Sequence, residues 1–123
     1  MAANDVTIYH NPKCSKSRAT LALLEGRGVE PRVIEYLKSP PTVSELRALV
    51  RMLGIRPEQL VRKSENVYRT RYAGKALSDE QWIAAMAQDP VLIERPIVVR
   101  GNRAAIGRPA ENVLALLANR PAR

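Results

Sequence analysis

The sequence predicts an α/β fold with one mixed four-stranded sheet, laid out as βαβ, a helical insert over roughly 42–88, then ββα. Three observations carry that expectation. A β-rich run, a helical pattern and a second β-rich run follow one another within about thirty residues near the start. Two capping boxes mark helices in the middle of the chain. Near the end, two short apolar runs flank Gly101-Asn102, as in a β-hairpin.

Taken in order, Val6-Thr7-Ile8-Tyr9 reads as a strand that stops at the turn signal His10-Asn11-Pro12. After Cys14, the residues Ala19, Leu21, Ala22, Leu23 and Leu24 read as a buried helix closed by Gly26 and Gly28. Arg32-Val33-Ile34-Glu35-Tyr36-Leu37 is a second strand, parallel to the first through a right-handed crossover. Pro40-Pro41 breaks the chain. The box Thr42-Val43-Ser44-Glu45 then opens a helix with an apolar face of Leu46, Leu49, Val50 and Leu53, ended by Gly54. A short helical piece is expected at Pro57–Val61, and polar residues 64–77 read as loop with a brief helix. Ser78-Asp79-Glu80-Gln81 caps a helix running to about Ala87. Ile97-Val98-Val99 and Ala104-Ala105-Ile106 form the hairpin. Pro109, at a first helical position, begins the last helix, which buries Val113, Leu114, Leu116 and Leu117. No repeat or linker divides the chain, so residues 1–123 read as a single domain. A βαβ unit followed by ββα around one mixed sheet is the thioredoxin-like arrangement.

Composition excludes several classes. The 123 residues include 20 Lys plus Arg and 12 Asp plus Glu, a net charge of +8, yet the basic residues are spread among acids rather than gathered in a tail. With so few aromatics there is no basic–aromatic interleaving, and no nucleic-acid partner is expected. One cysteine rules out an intramolecular disulfide and a cysteine-rich zinc site, and one histidine leaves few ligands, so no metal and no bound cofactor are expected. No apolar run approaches the roughly 18 residues of a membrane span. Met-Ala-Ala-Asn-Asp lacks the pattern of a signal peptide, and a cytoplasmic protein with one free thiol is the expectation.

Cys14 falls where a strand's C-terminal end turns into a helix N-terminus, a place where free backbone N–H groups favour an anion. A thiolate there is stabilised, so its pKa should lie below the free value of about 8.5. Lys13, Lys16 and Arg18 add positive charge, the Ser17 hydroxyl is placed to donate to the sulfur, and a protonated His10 would reinforce both. Two absences narrow the chemistry. Ser17 stands where Cys-x-x-Cys chemistry needs its second thiol, so disulfide exchange requires a thiol from another molecule. Thr20 stands where the Cys-x5-Arg loop of low-molecular-weight tyrosine phosphatases needs arginine. Three arginines sit at element boundaries: Arg62 after the short helical piece, Arg95 before Pro96, and Arg108 before Pro109. In a thioredoxin-like fold Pro96 is expected to be cis, setting Arg95 beside the thiol. Guanidinium forks suit tetrahedral oxyanions.

The segments Tyr9-His10-Asn11-Pro12-Lys13-Cys14-Ser15-Lys16-Ser17-Arg18, Leu60-Val61-Arg62-Lys63, Glu94-Arg95-Pro96-Ile97-Val98-Val99 and Gly107-Arg108-Pro109 together closely resemble the glutaredoxin-coupled arsenate reductase family. The likeness runs from about residue 5 to 118, and a chain ending at Arg123 is similar to the short chromosomal-type members. The resemblance implies a thioredoxin-like fold with a helical insert and Cys14 as the nucleophile that attacks arsenate through a thioester-like adduct. It further implies Arg62, Arg95 and Arg108 as oxyanion ligands, His10 and Ser17 as residues that tune the thiol, and Pro96 as the cis-proline. Glutathione is implied as co-substrate and glutaredoxin as protein partner. Two alternatives compete: a monothiol glutaredoxin-like thiol-exchange protein, and a non-enzymatic redox regulator of the same fold that binds RNA polymerase.

Overall fold

The structure is a computed structural model that describes residues 5–117. The residues read above for a leader, 1–4, and the end of the family likeness at Ala118 lie outside the described residues. Residues 5–35 and 95–117 form one compact unit, and residues 36–94 form a second.

In the first unit, β1 (Val6–His10) alternates buried and half-buried residues, which aims Val6, Ile8 and His10 at one covered face. The sheet order is β2-β1-β3-β4, with β2 (Arg32–Glu35), β3 (Ile97–Arg100) and β4 (Arg103–Ile106). β1 pairs parallel with β2 and antiparallel with β3, and β3 pairs antiparallel with β4. This is the mixed four-stranded sheet expected. The β3–β4 hairpin turns at Gly101, φ +63°, while Asn102 has no positive φ, the pattern of a type II′ turn. β2 stops at Glu35, two residues short of the expected end, because Tyr36 and Leu37 already turn.

Helix α1 (Ser15–Gly26) departs from the expected aliphatic face. Ser17, Thr20 and Leu24 point inward, Leu21 and Leu23 are half-buried, and Ala19 and Ala22 are exposed. Two hydroxyls are tolerated inside because each has partners. The Thr20 hydroxyl lies 3.0 Å from the Lys16 carbonyl and 3.2 Å from that of Gly107. The apolar core joins Val6, Ile8, Leu24, Val29, Val98, Val113 and Leu116. The last helical segment also differs from expectation. Pro109 is extended (φ −72°, ψ 167°) and precedes a 3₁₀ turn, Ala110–Val113, which leads into α4 (Leu114–Leu117). Of its four apolar residues, Val113 and Leu116 are buried and Leu114 and Leu117 half-buried.

The second unit is the helical insert, wider than 42–88. Both capping boxes form, at Thr42 for α2 (Val43–Leu53) and at Ser78 for α3 (Asp79–Gln88). α2 buries Leu46, Leu49 and Val50, with Leu53 half-buried, and packs against α3. Residues 64–77 carry one short helical turn of π geometry, Tyr68–Tyr72, whose two tyrosine rings lie 6.2 and 6.0 Å from the buried Trp82. Among the described residues no helix is long and apolar enough to cross a membrane.

Candidate active site

β1 delivers the chain to a tight loop organised by Asn11, which is almost fully buried. Its carbonyl accepts the Cys14 N–H (3.0 Å), its Oδ1 accepts the Lys13 N–H (3.0 Å), and its own N–H donates to Ser17 Oγ (3.0 Å). An asparagine side chain bonding two residues ahead is a standard way to set such a turn. Cys14 therefore becomes the extended cap residue of α1 (φ −96°, ψ 124°), and its carbonyl accepts the Arg18 N–H at 3.0 Å. The side chain at this position faces the helix's free N–H groups.

The thiol responds to that placement. Burial is the largest single influence on Cys14 and pushes its pKa up. Hydrogen bonds from the Ser17 N–H, the Arg95 side chain and the Lys16 N–H, with the Arg95 charge, outweigh it, so the thiol lies below its ordinary value. Cys14 remains partly accessible, as a nucleophile must.

Ser17 and His10 meet differently from the sequence expectation. The Ser17 hydroxyl lies 2.7 Å from His10 Nδ1 and accepts the Asn11 N–H, so it faces the interior, and what Ser17 supplies to the sulfur is its backbone N–H. His10 is not the cation that would reinforce the thiolate. Burial lowers its pKa most strongly, Glu35, its register partner on β2, opposes that shift, and Arg18 adds to it. The net lowering leaves the imidazole neutral at neutral pH.

Arg108 Nη1 lies 4.0 Å from Cys14 Sγ and donates to the Arg95 carbonyl at 3.0 Å, which ties the two arginines to one place beside the thiol. Arg95 precedes a cis Pro96, as expected, and Arg108 precedes a second cis proline, Pro109, which the sequence reading did not foresee. Gly107 shows why this corner is tight: a Cβ there would run into Thr20 and the Pro96 ring. The first unit thus brings together Cys14, His10, Ser17, Arg95 and Arg108. Arg62 belongs to the second unit, where its backbone N–H donates to the Leu92 carbonyl (2.7 Å). Its guanidinium binds Glu94 (2.5 Å) and Glu65 (3.1 Å). Burial opposes its charge, but the two carboxylates raise its pKa and keep it cationic.

Besides the cis Pro109, sequence reasoning missed three features: Asn11 as loop organiser, the link from Arg108 to the Arg95 carbonyl, and the carboxylates on Arg62. Asn11-Pro12 is a turn signal, and the i,i+3 spacing of Arg62 and Glu65 is visible in the sequence, so two of the three carry a signal there.

The arrangement offers an activated, accessible thiol with guanidinium donors beside it, a combination suited to attack on an oxyanion. A family model for the ArsC family matches residues 9–116. An uncharacterized Escherichia coli K12 protein, YfgD, is 48% identical over 114 residues, covering 91% of this chain and 96% of that protein. An arsenate reductase of Neisseria meningitidis is 41% identical over 115 residues, covering 92% and 98% respectively. Among solved structures, an arsenate reductase from Vibrio cholerae is 50% identical with a TM-score of 0.89, over 94% of this chain and 98% of that one.

Proposed function

The chain belongs to the ArsC family, and from that membership we propose that it is an arsenate reductase that draws its electrons from glutathione and glutaredoxin. The observation that carries the reading is the lowered thiol of Cys14 with Arg95 and Arg108 beside it.

The Cys14 thiolate attacks arsenic and displaces one oxygen as water, leaving a thioester-like Cys14–arsenate adduct. Arg95 and Arg108 neutralise the oxyanion and stabilise the departing oxygen, a role the family resemblance extends to Arg62. One cysteine cannot form an internal disulfide, so both electrons come from outside. Glutathione displaces a second oxygen from the adduct. A glutaredoxin thiolate then attacks the glutathione sulfur, the As–S bond to glutathione breaks, and its electron pair stays on arsenic, now As(III). Water releases arsenite and returns Cys14 as a thiol. The balance is one arsenate and two thiols giving arsenite, one disulfide and one water. His10 and Ser17 act on the geometry of the loop, and Ser17 also through its N–H on the sulfur.

The test is arsenate-dependent NADPH consumption, coupled through glutathione reductase, glutathione and glutaredoxin, with Cys14→Ser as control. Turnover in the wild type and none in the variant is the expected result, because serine is a poor nucleophile at neutral pH. Activity surviving in Cys14→Ser overturns the mechanism.

A further inference from the structure

Many basic side chains of this protein are matched by acids where they stand. Arg47, Arg56, Arg62, Lys63, Arg71 and Arg100 each hold a carboxylate. Around the thiol, unmatched cations stand close together in the chain. Lys13 and Lys16 bracket Cys14, both are exposed, and among the described residues neither ammonium has a carboxylate partner. The first turn of α1 contains no acid. Arg18, also exposed, lies over the same loop through its bond to the Pro12 carbonyl at 3.0 Å. Their backbone duties are separate from their charges: the N–H of Lys13 holds Asn11 and that of Lys16 holds the sulfur, and any residue but proline would supply them.

We propose that Lys13 and Lys16, backed by Arg18, form an anion-recruiting rim that selects a carboxylate-bearing thiol, or its disulfide, as the second sulfur compound to meet Cys14. Where that compound is the glutathione of the reductase cycle, the inference rests on the function proposed above. The oxyanion is held by arginines beside the sulfur. The lysines are exposed and flank the partly accessible Cys14 in the chain, so a larger anionic thiol that approaches the sulfur approaches them too. Unmatched cations so placed raise the local concentration of anions and lose that effect in salt.

The test is built so that the rim is judged without arsenate. Reaction of the Cys14 thiolate with a disulfide breaks its S–S bond, forms a mixed disulfide and expels one thiolate, with no other oxidant or reductant. The rate is measured with glutathione disulfide, which carries excess carboxylates, and with neutral 2-hydroxyethyl disulfide. Their ratio cancels any change in thiolate fraction. In the wild type the ratio falls as salt is raised. In Lys13→Ala/Lys16→Ala it falls about 4- to 25-fold at low salt, from the roughly 2- to 5-fold that one exposed charge contributes. Lys13→Arg/Lys16→Arg retains the wild-type ratio. An unchanged ratio in the double alanine variant overturns the proposal, whatever the arsenate assay gives. Absence of arsenate turnover in the wild type, with the ratio falling as expected, overturns the arsenate reading and leaves the rim standing.

Discussion

Removing the Arg95 guanidinium is expected to take away part of the acidity that Cys14 gains in this site. Arg95 acts on the sulfur twice, as a hydrogen-bond donor and as a charge, whereas Ser17 and Lys16 act through backbone N–H groups that substitution leaves in place. A charge-assisted hydrogen bond is worth about 1.5–3 kcal/mol, and at about 1.36 kcal/mol per pH unit that is roughly one to two units. Because the sulfur is partly open to solvent, the lower end applies, so Arg95→Ala should raise the midpoint by about one unit. Arg95→Lys keeps the charge but not the planar fork and should recover about half of that. Thiolate absorbance against pH measures the midpoint, and alkylation by a neutral reagent gives an independent one. Circular dichroism checks that each variant is folded. A midpoint in Arg95→Ala within about 0.3 units of wild type would refute the assignment and leave the helix N-terminus as the whole cause of activation.

Three further outcomes are expected. Arg62→Ala and Arg108→Ala should each lower the catalytic efficiency for arsenate by roughly 10- to 150-fold, equivalent to about 1.5–3 kcal/mol; steady-state kinetics at saturating thiol decide this, and wild-type values for both would move the anion site elsewhere. His10 is held below its ordinary pKa, so the folded state binds fewer protons than the unfolded state just below about pH 6.5. Stability should therefore fall as pH drops from about 6.5 towards the folded value, and urea unfolding of His10→Gln should show a weaker acid dependence than wild type. Gly107→Ala should destabilise the protein by about 1–3 kcal/mol, because the added methyl meets Thr20 and Pro96 in a packed corner; an unchanged urea midpoint would mean that the corner yields freely.

The parts of the fold that were legible in the sequence are those governed by local rules. Thr42 with Glu45 and Ser78 with Gln81 satisfy helix N–H groups within four residues, and both boxes form as read. The hairpin at Gly101 follows from backbone freedom at one position. Cys14 could be placed because a strand end and a helix start are both local signals. The misread parts depend on residues far apart in the chain. Hydrophobicity alone assigned Ala19 and Ala22 to the interior, yet Ser17 and Thr20 take it, since His10 and Gly107 supply partners that no helical window contains. The same reason explains the inward turn of the Ser17 hydroxyl. A polar side chain beside a thiol in sequence is drawn to the partner that burial makes costly to leave unmatched, here the imidazole of His10. The sulfur, being accessible, is left to the backbone N–H groups and to Arg95, groups that gain from a charge at the surface. Activation and accessibility of Cys14 thus have one origin: the loop turns its neutral polar side chains to the interior and presents its N–H groups to the thiol, while Arg95 supplies the cation.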